Sequence, residues 1–139
     1  MRIVLDSNEY IIFLNKKSIA LNELFEKEGI VIYVNGSIVR EVLRNIAETI
    51  KSRFYKMLFK NKIEVNDKKL PFYLFDKYKK IGLKKGDIAI AAFCDFIKAD
   101  CLITENRHFL KEAEVKEFKV VTIKDFLSKF YVNKEENNI

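Results

Sequence analysis

The amino-acid sequence predicts a three-layer α/β/α domain with a mainly parallel central sheet. Three observations point to it. Short apolar runs alternate along the chain with stretches of helical period. The runs lack the apolar–polar alternation of a half-exposed strand, so they read as strands covered on both faces. Strand–helix alternation within 139 residues gives one such sheet with its helices.

The elements follow in order. Ile3-Val4-Leu5 is the first run and ends at Asp6. Leu21, Leu24 and Phe25 mark an amphipathic helix. Val31-Ile32-Tyr33-Val34 is the second run, closed by Asn35-Gly36. Ser37 then offers an N-cap, and Val39, Val42, Leu43 and Ile46 fall on one helical stripe. Ile63-Glu64-Val65 is a further short strand, and Pro71 with the Asn66-Asp67-Lys68-Lys69 cluster marks a loop. Asp87 is placed to cap a helix that turns Ile88, Ala91, Ala92 and Phe96 inward. Cys101-Leu102-Ile103-Thr104 and Val120-Val121-Thr122-Ile123 are the remaining strands, and a last helix holds Phe126, Leu127 and Phe130. We read residues 1–132 as one domain and 133–139 as a frayed polar tail.

Composition narrows the function classes. Apolar residues make up 49% of the chain and 12 are Phe, enough for a packed core without staples. The formal charge of +6 favours anionic partners, nucleic acid or an acidic protein. Cys94 and Cys101 lie in apolar stretches and read as small buried hydrophobes of a reducing compartment. Two Cys and one His do not make a four-ligand structural zinc site. Asp6 interrupts the first apolar run, so no signal peptide is visible, and no run approaches the about 20 residues of a membrane span. The expected location is cytoplasmic, with no membrane partner.

The chemistry lies in a set of acids spread along the chain. Ligands of open parallel sheets bind outside the carboxyl ends of the strands. Asp6 ends the first strand and Asn106 follows the third, so both point to that edge. Glu41 lies in the first turn after Ser37 and can converge there; Asp87 is less constrained by topology. Taken singly, Asp6 can be a strand-end turn residue, Glu41 a solvated helix carboxylate and Asp87 a plain N-cap. Taken together, converging carboxylates repel and persist only with a cation or a proton. All-oxygen donors select a hard ion, Mg²⁺ or Mn²⁺, which lowers the pKa of a bound water and offsets charge on a phosphoryl oxygen.

At these residues the chain resembles the PIN-domain ribonuclease family, VapC-like toxins among its members, along nearly its whole length. Ile3-Val4-Leu5-Asp6-Ser7-Asn8 resembles the first motif, and Ser37-Ile38-Val39-Arg40-Glu41-Val42 the second. Gly86-Asp87-Ile88-Ala89-Ile90-Ala91-Ala92 resembles the third. The stretch from Ala99 to Phe109, with Thr104 and Asn106 inside it, resembles the fourth, and Val120 to Leu127 the closing strand and helix. The resemblance implies a metal-dependent endoribonuclease acting on single-stranded RNA, often the toxin of a toxin–antitoxin pair and often a homodimer. It implies Asp6, Glu41 and Asp87 as metal ligands, with Asn8 and Thr104 orienting carboxylates or waters from behind. Many relatives carry Asp where this chain has Asn106; an amide oxygen still ligates a hard cation but brings no charge, which weakens the case for a second metal.

Other residues keep two readings. Arg107 and His108 can contact a scissile phosphate or simply form a surface loop. The segment from Lys51 to Lys62, with Phe54, Tyr55 and Phe59, can stack single strands or pack a core or dimer face. Phe72-Tyr73-Leu74-Phe75 can cover the sheet or seat an antitoxin or second subunit. Asp100 should lie at the far edge in a structural role, and Asp95 should be solvated or paired. Two further functions compete with the nuclease. One is a PIN-like RNA- or protein-binding module with weak or no activity. The other is a phosphatase that starts with Asp-x-Asp at a strand end, for which Asn8 stands in the place of the second acid.

Overall fold

The computed structural model describes residues 1–112 and 115–130; the expected tail, 133–139, lies outside them. Five strands, all parallel, form one sheet in the order β3-β2-β1-β4-β5. They are β1 (Arg2–Leu5), β2 (Val31–Val34), β3 (Glu64–Val65), β4 (Cys101–Ile103) and β5 (Lys119–Val121). Seven helices connect or flank them among the described residues: α1 (Ser7–Leu14), α2 (Ala20–Phe25), α3 (Gly36–Arg44), α4 (Glu48–Lys60), α5 (Phe72–Lys80), α6 (Lys85–Phe96) and α7 (Ile123–Asp125). A π-helical turn, His108–Glu112, lies between β4 and β5, and another, Phe126–Phe130, continues α7.

The topology fixes where a site can form. From β1 the chain steps outward to β2 and β3, then crosses back to β4 on the other side of β1. Right-handed crossovers in opposite directions lay their helices on opposite faces of the sheet. Helix α1 accordingly packs against α2, α3 and α4, whereas α5 packs against α6. The connection reverses between β1 and β4, and a crevice opens at such a switch point outside the carboxyl ends of the strands. Those two strands also hold the driest part of the core: Ile3, Val4, Leu5, Leu102 and Ile103 are fully buried.

Of the boundaries that differ from the sequence-based expectation, three have a clear local cause. Helix α3 begins at Gly36, not after Ser37, because Asn35 is the cap: its side-chain oxygen accepts from the Ile38 amide at 2.9 Å. The Gly36 amide donates to Asp67 Oδ1 at 2.9 Å, and a Cβ on Gly36 would stand 2.7 Å from that oxygen, so a larger residue would displace the Asp67 side chain. Glu41 therefore sits in the second turn of α3. Helix α6 begins at Lys85 with Lys84 at the cap position, so Asp87 is its third residue rather than its cap. Strand β5 stops at Val121, because the Thr122 hydroxyl caps α7 by accepting from the Asp125 amide at 3.1 Å.

Helices α1, α4 and α5 were not assigned from the sequence. Helix α4 spans most of the basic and aromatic segment from Lys51 to Lys62, and α5 takes in the Phe72 to Phe75 run. Cys94 and Cys101 are buried and form no disulfide, as expected. Asp100 lies at the opposite edge of the sheet, where its Oδ2 accepts from the Arg2 amide at 2.7 Å. Asp95 is paired: Lys77 Nζ and the Tyr78 hydroxyl each donate to its Oδ2 at 2.7 Å. Among the described residues no helix is long and apolar enough to cross a membrane.

Candidate active site

Asp6 is the residue at which β1 becomes α1. Its amide continues the sheet by donating to the Ile103 carbonyl at 3.0 Å, and its own carbonyl accepts from the Glu9 amide at 3.0 Å. Its carboxylate makes no capping bond to α1. That carboxylate is held from behind. The Thr104 hydroxyl, fully buried at the end of β4, donates to Asp6 Oδ2 at 2.8 Å, and Ser7 Oγ lies 3.4 Å from Oδ1. Thr104 Oγ1 in turn accepts from the Asn106 amide at 3.0 Å.

Asn106 extends the chain of contacts to α6. Its Nδ2 donates to Asp87 Oδ1 at 3.2 Å, while its Oδ1 accepts from the His108 amide at 3.0 Å. Asp6, Thr104, Asn106 and Asp87 thus form one hydrogen-bonded line across the switch point. An aspartate at position 106 would turn a carboxylate oxygen toward Asp87 where the amide now donates. Burial, then the charge of Asp6, pushes the Asp87 carboxyl above the ordinary carboxylate range; His108, the Asn106 hydrogen bond and Lys84 pull the other way.

A cleft of about 170 Å³ opens between these groups, and Asp6, Asn8, Glu41, Asp87 and Asn106 all line it. The placement of the remaining residues differs in kind. Asn8 lines the cleft. Thr104 stands behind Asp6. Arg107 is exposed, and neither it nor His108 lines the cleft, although the charge of His108 acts on Asp87. Among the described residues no three His, Cys, Asp or Glu groups stand close enough to form a ready metal cage. The donor set still suits a hard cation of the Mg²⁺ type: the acids offer oxygen donors, they repel one another, and such an ion needs only one or two carboxylates because water completes its shell.

One residue of this region escaped the sequence reading. Glu9 is only 6% exposed, and its Oε1 has no hydrogen-bond partner. Burial pushes its carboxyl up to about 7, with added repulsion from Glu105 and Asp6. The spacing Asp6-x-x-Glu9 is that of a capping box, in which Glu9 would bond the Asp6 amide. Sheet pairing with Ile103 has already taken that amide.

A testable consequence follows for stability. Between its unfolded value of 4.5 and its folded value of about 7, Glu9 is protonated in the folded chain and ionised in the unfolded one. The folded state then binds more protons, so stability contributed by the neutral form is full below 4.5 and is lost as pH rises through about 7. Glu9→Gln removes that loss. Urea unfolding in EDTA should show the variant gaining about 1–2 kcal/mol on the wild type between pH 5 and pH 8, once solvent screening is allowed for. A difference that is the same at both pH values would mean that Glu9 does not titrate in this window.

Comparison with known proteins gives the fold. No family's sequence pattern matches the chain, and no curated protein matches it by sequence. Among solved structures it is similar to a chain in the crystal structure of VapBC2 from Rickettsia felis bound to a DNA fragment from their promoter. The TM-score is 0.66 at 16% identity, and the alignment covers 86% of this chain and 97% of that one. The five-stranded parallel sheet between two helical layers is therefore the fold of a PIN domain.

Proposed function

We propose that the protein is a metal-dependent endoribonuclease that hydrolyses RNA phosphodiester bonds, with Asp6, Glu41 and Asp87 as the residues that would hold Mg²⁺ or Mn²⁺. The observation that carries this reading is the shared cleft of Asp6, Glu41, Asp87 and Asn106 at the switch point of the sheet. When bound, such a cation supplies Lewis-acid activation of water and offsets charge on the phosphoryl group. The chain supplies orientation and charge. Thr104 fixes Asp6, Asn106 fixes Asp87, and the mutual repulsion of the two acids, which raises Asp87, is relieved by a cation in the cleft. Arg107 and His108 stand after Asn106, where a bound phosphate would feel their charge.

The VapBC2 likeness supports a PIN nuclease that works with a protein partner, as the toxin of a toxin–antitoxin pair. A homodimer in the cytoplasm belongs to the same reading. Single-stranded and hairpin RNAs should be cut with Mg²⁺ or Mn²⁺ present and left intact in EDTA; cleavage that survives the chelator would overturn the assignment. Thr104→Val keeps the shape but removes both the donor to Asp6 and the acceptor of the Asn106 amide, and should slow cleavage about 10- to 100-fold. An unchanged rate would remove Thr104 from the site.

A second reading is a PIN-like module that binds RNA or protein with weak or no nuclease activity. The feature that favours it is Asn106, an uncharged side chain whose oxygen is already used by the His108 amide. Calorimetric titration with Mn²⁺ separates the two, since a pure binding module has no divalent affinity at Asp6.

A further inference from the structure

Asp67 does not line the cleft, yet it grips one of its walls. Strand β3 ends at Val65, and the Asn66 amide carries the pairing one step on by donating to the Val34 carbonyl at 2.9 Å. The Asn66 side-chain oxygen then accepts from the Lys68 amide at 3.2 Å, which bends the chain at Asp67. Strands β2 and β3 run parallel, so this bend comes out at the carboxyl edge of the sheet, beside the start of α3. There Asp67 Oδ1 accepts from the Gly36 amide, a partner 31 positions away in sequence. Around the place a Cβ would take on Gly36 stand both Asp67 oxygens, at 2.7 and 3.1 Å, and Arg40 Nη1, at 3.0 Å. A carboxylate from the loop and a guanidinium from the next turn of α3 thus face the same bare glycine.

Helix α3 needs such a hold. It has nine residues, of which Ile38 and Val42 are buried, and its Arg40 and Glu41 are exposed. A helix start leaves backbone amides unpaired. Asn35 takes that of Ile38, and Asp67 that of Gly36. Asn35 caps from the position just before the helix, whereas Asp67 reaches in from the end of another strand and ties the start of α3 to it. Asn35, Ser37, Ile38 and Glu41 of this same stretch line the cleft. Glu41 stands five residues beyond Gly36, about 7.5 Å along the helix axis.

We propose that Asp67 is a positioning residue for Glu41: its bond to the Gly36 amide sets the tilt of α3, and with it the place at which the Glu41 carboxylate meets a divalent cation. Glu41 enters here as the metal ligand proposed above, and the role of Asp67 rests on that reading. Groups that orient a metal-binding carboxylate from outside govern metal affinity even though they never touch the ion. Asp67 acts one step further back, through the helix backbone, so its effect is smaller than that of a direct partner. A plain helix cap, by contrast, adds stability and leaves metal affinity alone.

Calorimetric titration of the whole chain with Mn²⁺ tests this. Asp67→Ala should weaken Mn²⁺ binding about three- to tenfold. Gly36→Ala should do the same with Asp67 intact, because its Cβ displaces the carboxylate. Alanine is a better helix former than glycine, so a loss there would not come from a weaker helix. Asp67→Asn keeps an oxygen that accepts from the Gly36 amide, and should stay within about twofold of the wild type. In a Glu41→Gln chain, itself weaker for Mn²⁺, Asp67→Ala should have no further effect. Asp67 is exposed, so its variants should fold. Unchanged affinity in Asp67→Ala and Gly36→Ala overturns the proposal. So does a loss from Asp67→Ala that is equal with and without the Glu41 carboxylate, or one that Asp67→Asn fails to rescue. A Glu41→Gln chain that binds Mn²⁺ as tightly as the wild type refutes the ligand reading of Glu41, and the role of Asp67 with it. Weakened binding in Glu41→Gln with Asp67→Ala silent refutes the role of Asp67 alone.

Discussion

Replacing Asp6 by Asn is expected to slow RNA cleavage at least about a thousandfold while making the metal-free protein more stable. The substitution is close to a pure change of charge. The Asp6 carboxylate makes no capping bond to α1, so the helix start does not depend on its charge. The asparagine amide oxygen can still accept from Thr104, and the backbone bond to Ile103 is untouched. What goes is the negative charge that a hard cation would use, and loss of several kcal/mol of charge stabilisation corresponds to the stated factor. Burial is the largest cause that pushes up the carboxyls of Asp87 and Glu9, but the Asp6 charge adds to both, so removing it relieves repulsion in the folded state. A gain of about 0.5–1 kcal/mol in EDTA is expected, because the groups are only partly shielded from water. Single-turnover cleavage and urea unfolding on one preparation check both halves. Lost activity accompanied by lost stability would recast Asp6 as a structural strand-end residue.

That opposition between stability and activity was partly legible in the sequence. The central strands could be read because both faces of β1 and β4 are covered, which leaves runs such as Ile3-Val4-Leu5 without alternation. Asp6 and Asn106 could be assigned to one edge because Asp6 directly follows such a run and Asn106 comes two residues after another. Helix α1 could not be read, since Tyr10 to Leu14 is unbroken apolar sequence and period is lost there. The starts of α3 and α6 were misplaced because capping was judged from side-chain type. Asn35 had been read as the close of a strand, and Lys84 caps with no side-chain bond at all. Glu9 was out of reach for a different reason. Its burial and its closeness to Glu105 are set by tertiary packing, which local spacing does not encode. Asn106 was seen as a missing acid; its double engagement with Asp87 and His108 emerges only in three dimensions.

The largest stability loss is expected from Phe54→Ala. Phe54 is fully buried on α4 and meets Tyr10 of α1 edge-on, with ring centroids 5.8 Å apart at 65°. Emptying this position removes the transfer energy of the ring and leaves a cavity that two packed helices close only in part, a cost of about 3–5 kcal/mol. Against a total of about 5–15 kcal/mol for a domain, that is enough to bring unfolding near ambient temperature. Tyr10→Phe should act in the opposite direction. Its hydroxyl is buried without a hydrogen-bond partner, and burial alone pushes it above its ordinary range. Removing it spares the cost of desolvating that group, a gain of about 1 kcal/mol. Asp6 is anchored by Ile103 and Thr104 on β4, not by the contact of α1 with α4. Below its midpoint, Phe54→Ala should therefore cleave within about threefold of the wild type. Denaturant melts and cleavage rates at low temperature distinguish the cases. A Tyr10→Phe chain that loses stability would show that the hydroxyl is satisfied in solution. A Phe54→Ala chain that is folded but inactive would show that α4 packing, and not the β1–β4 pairing, holds the acids in register.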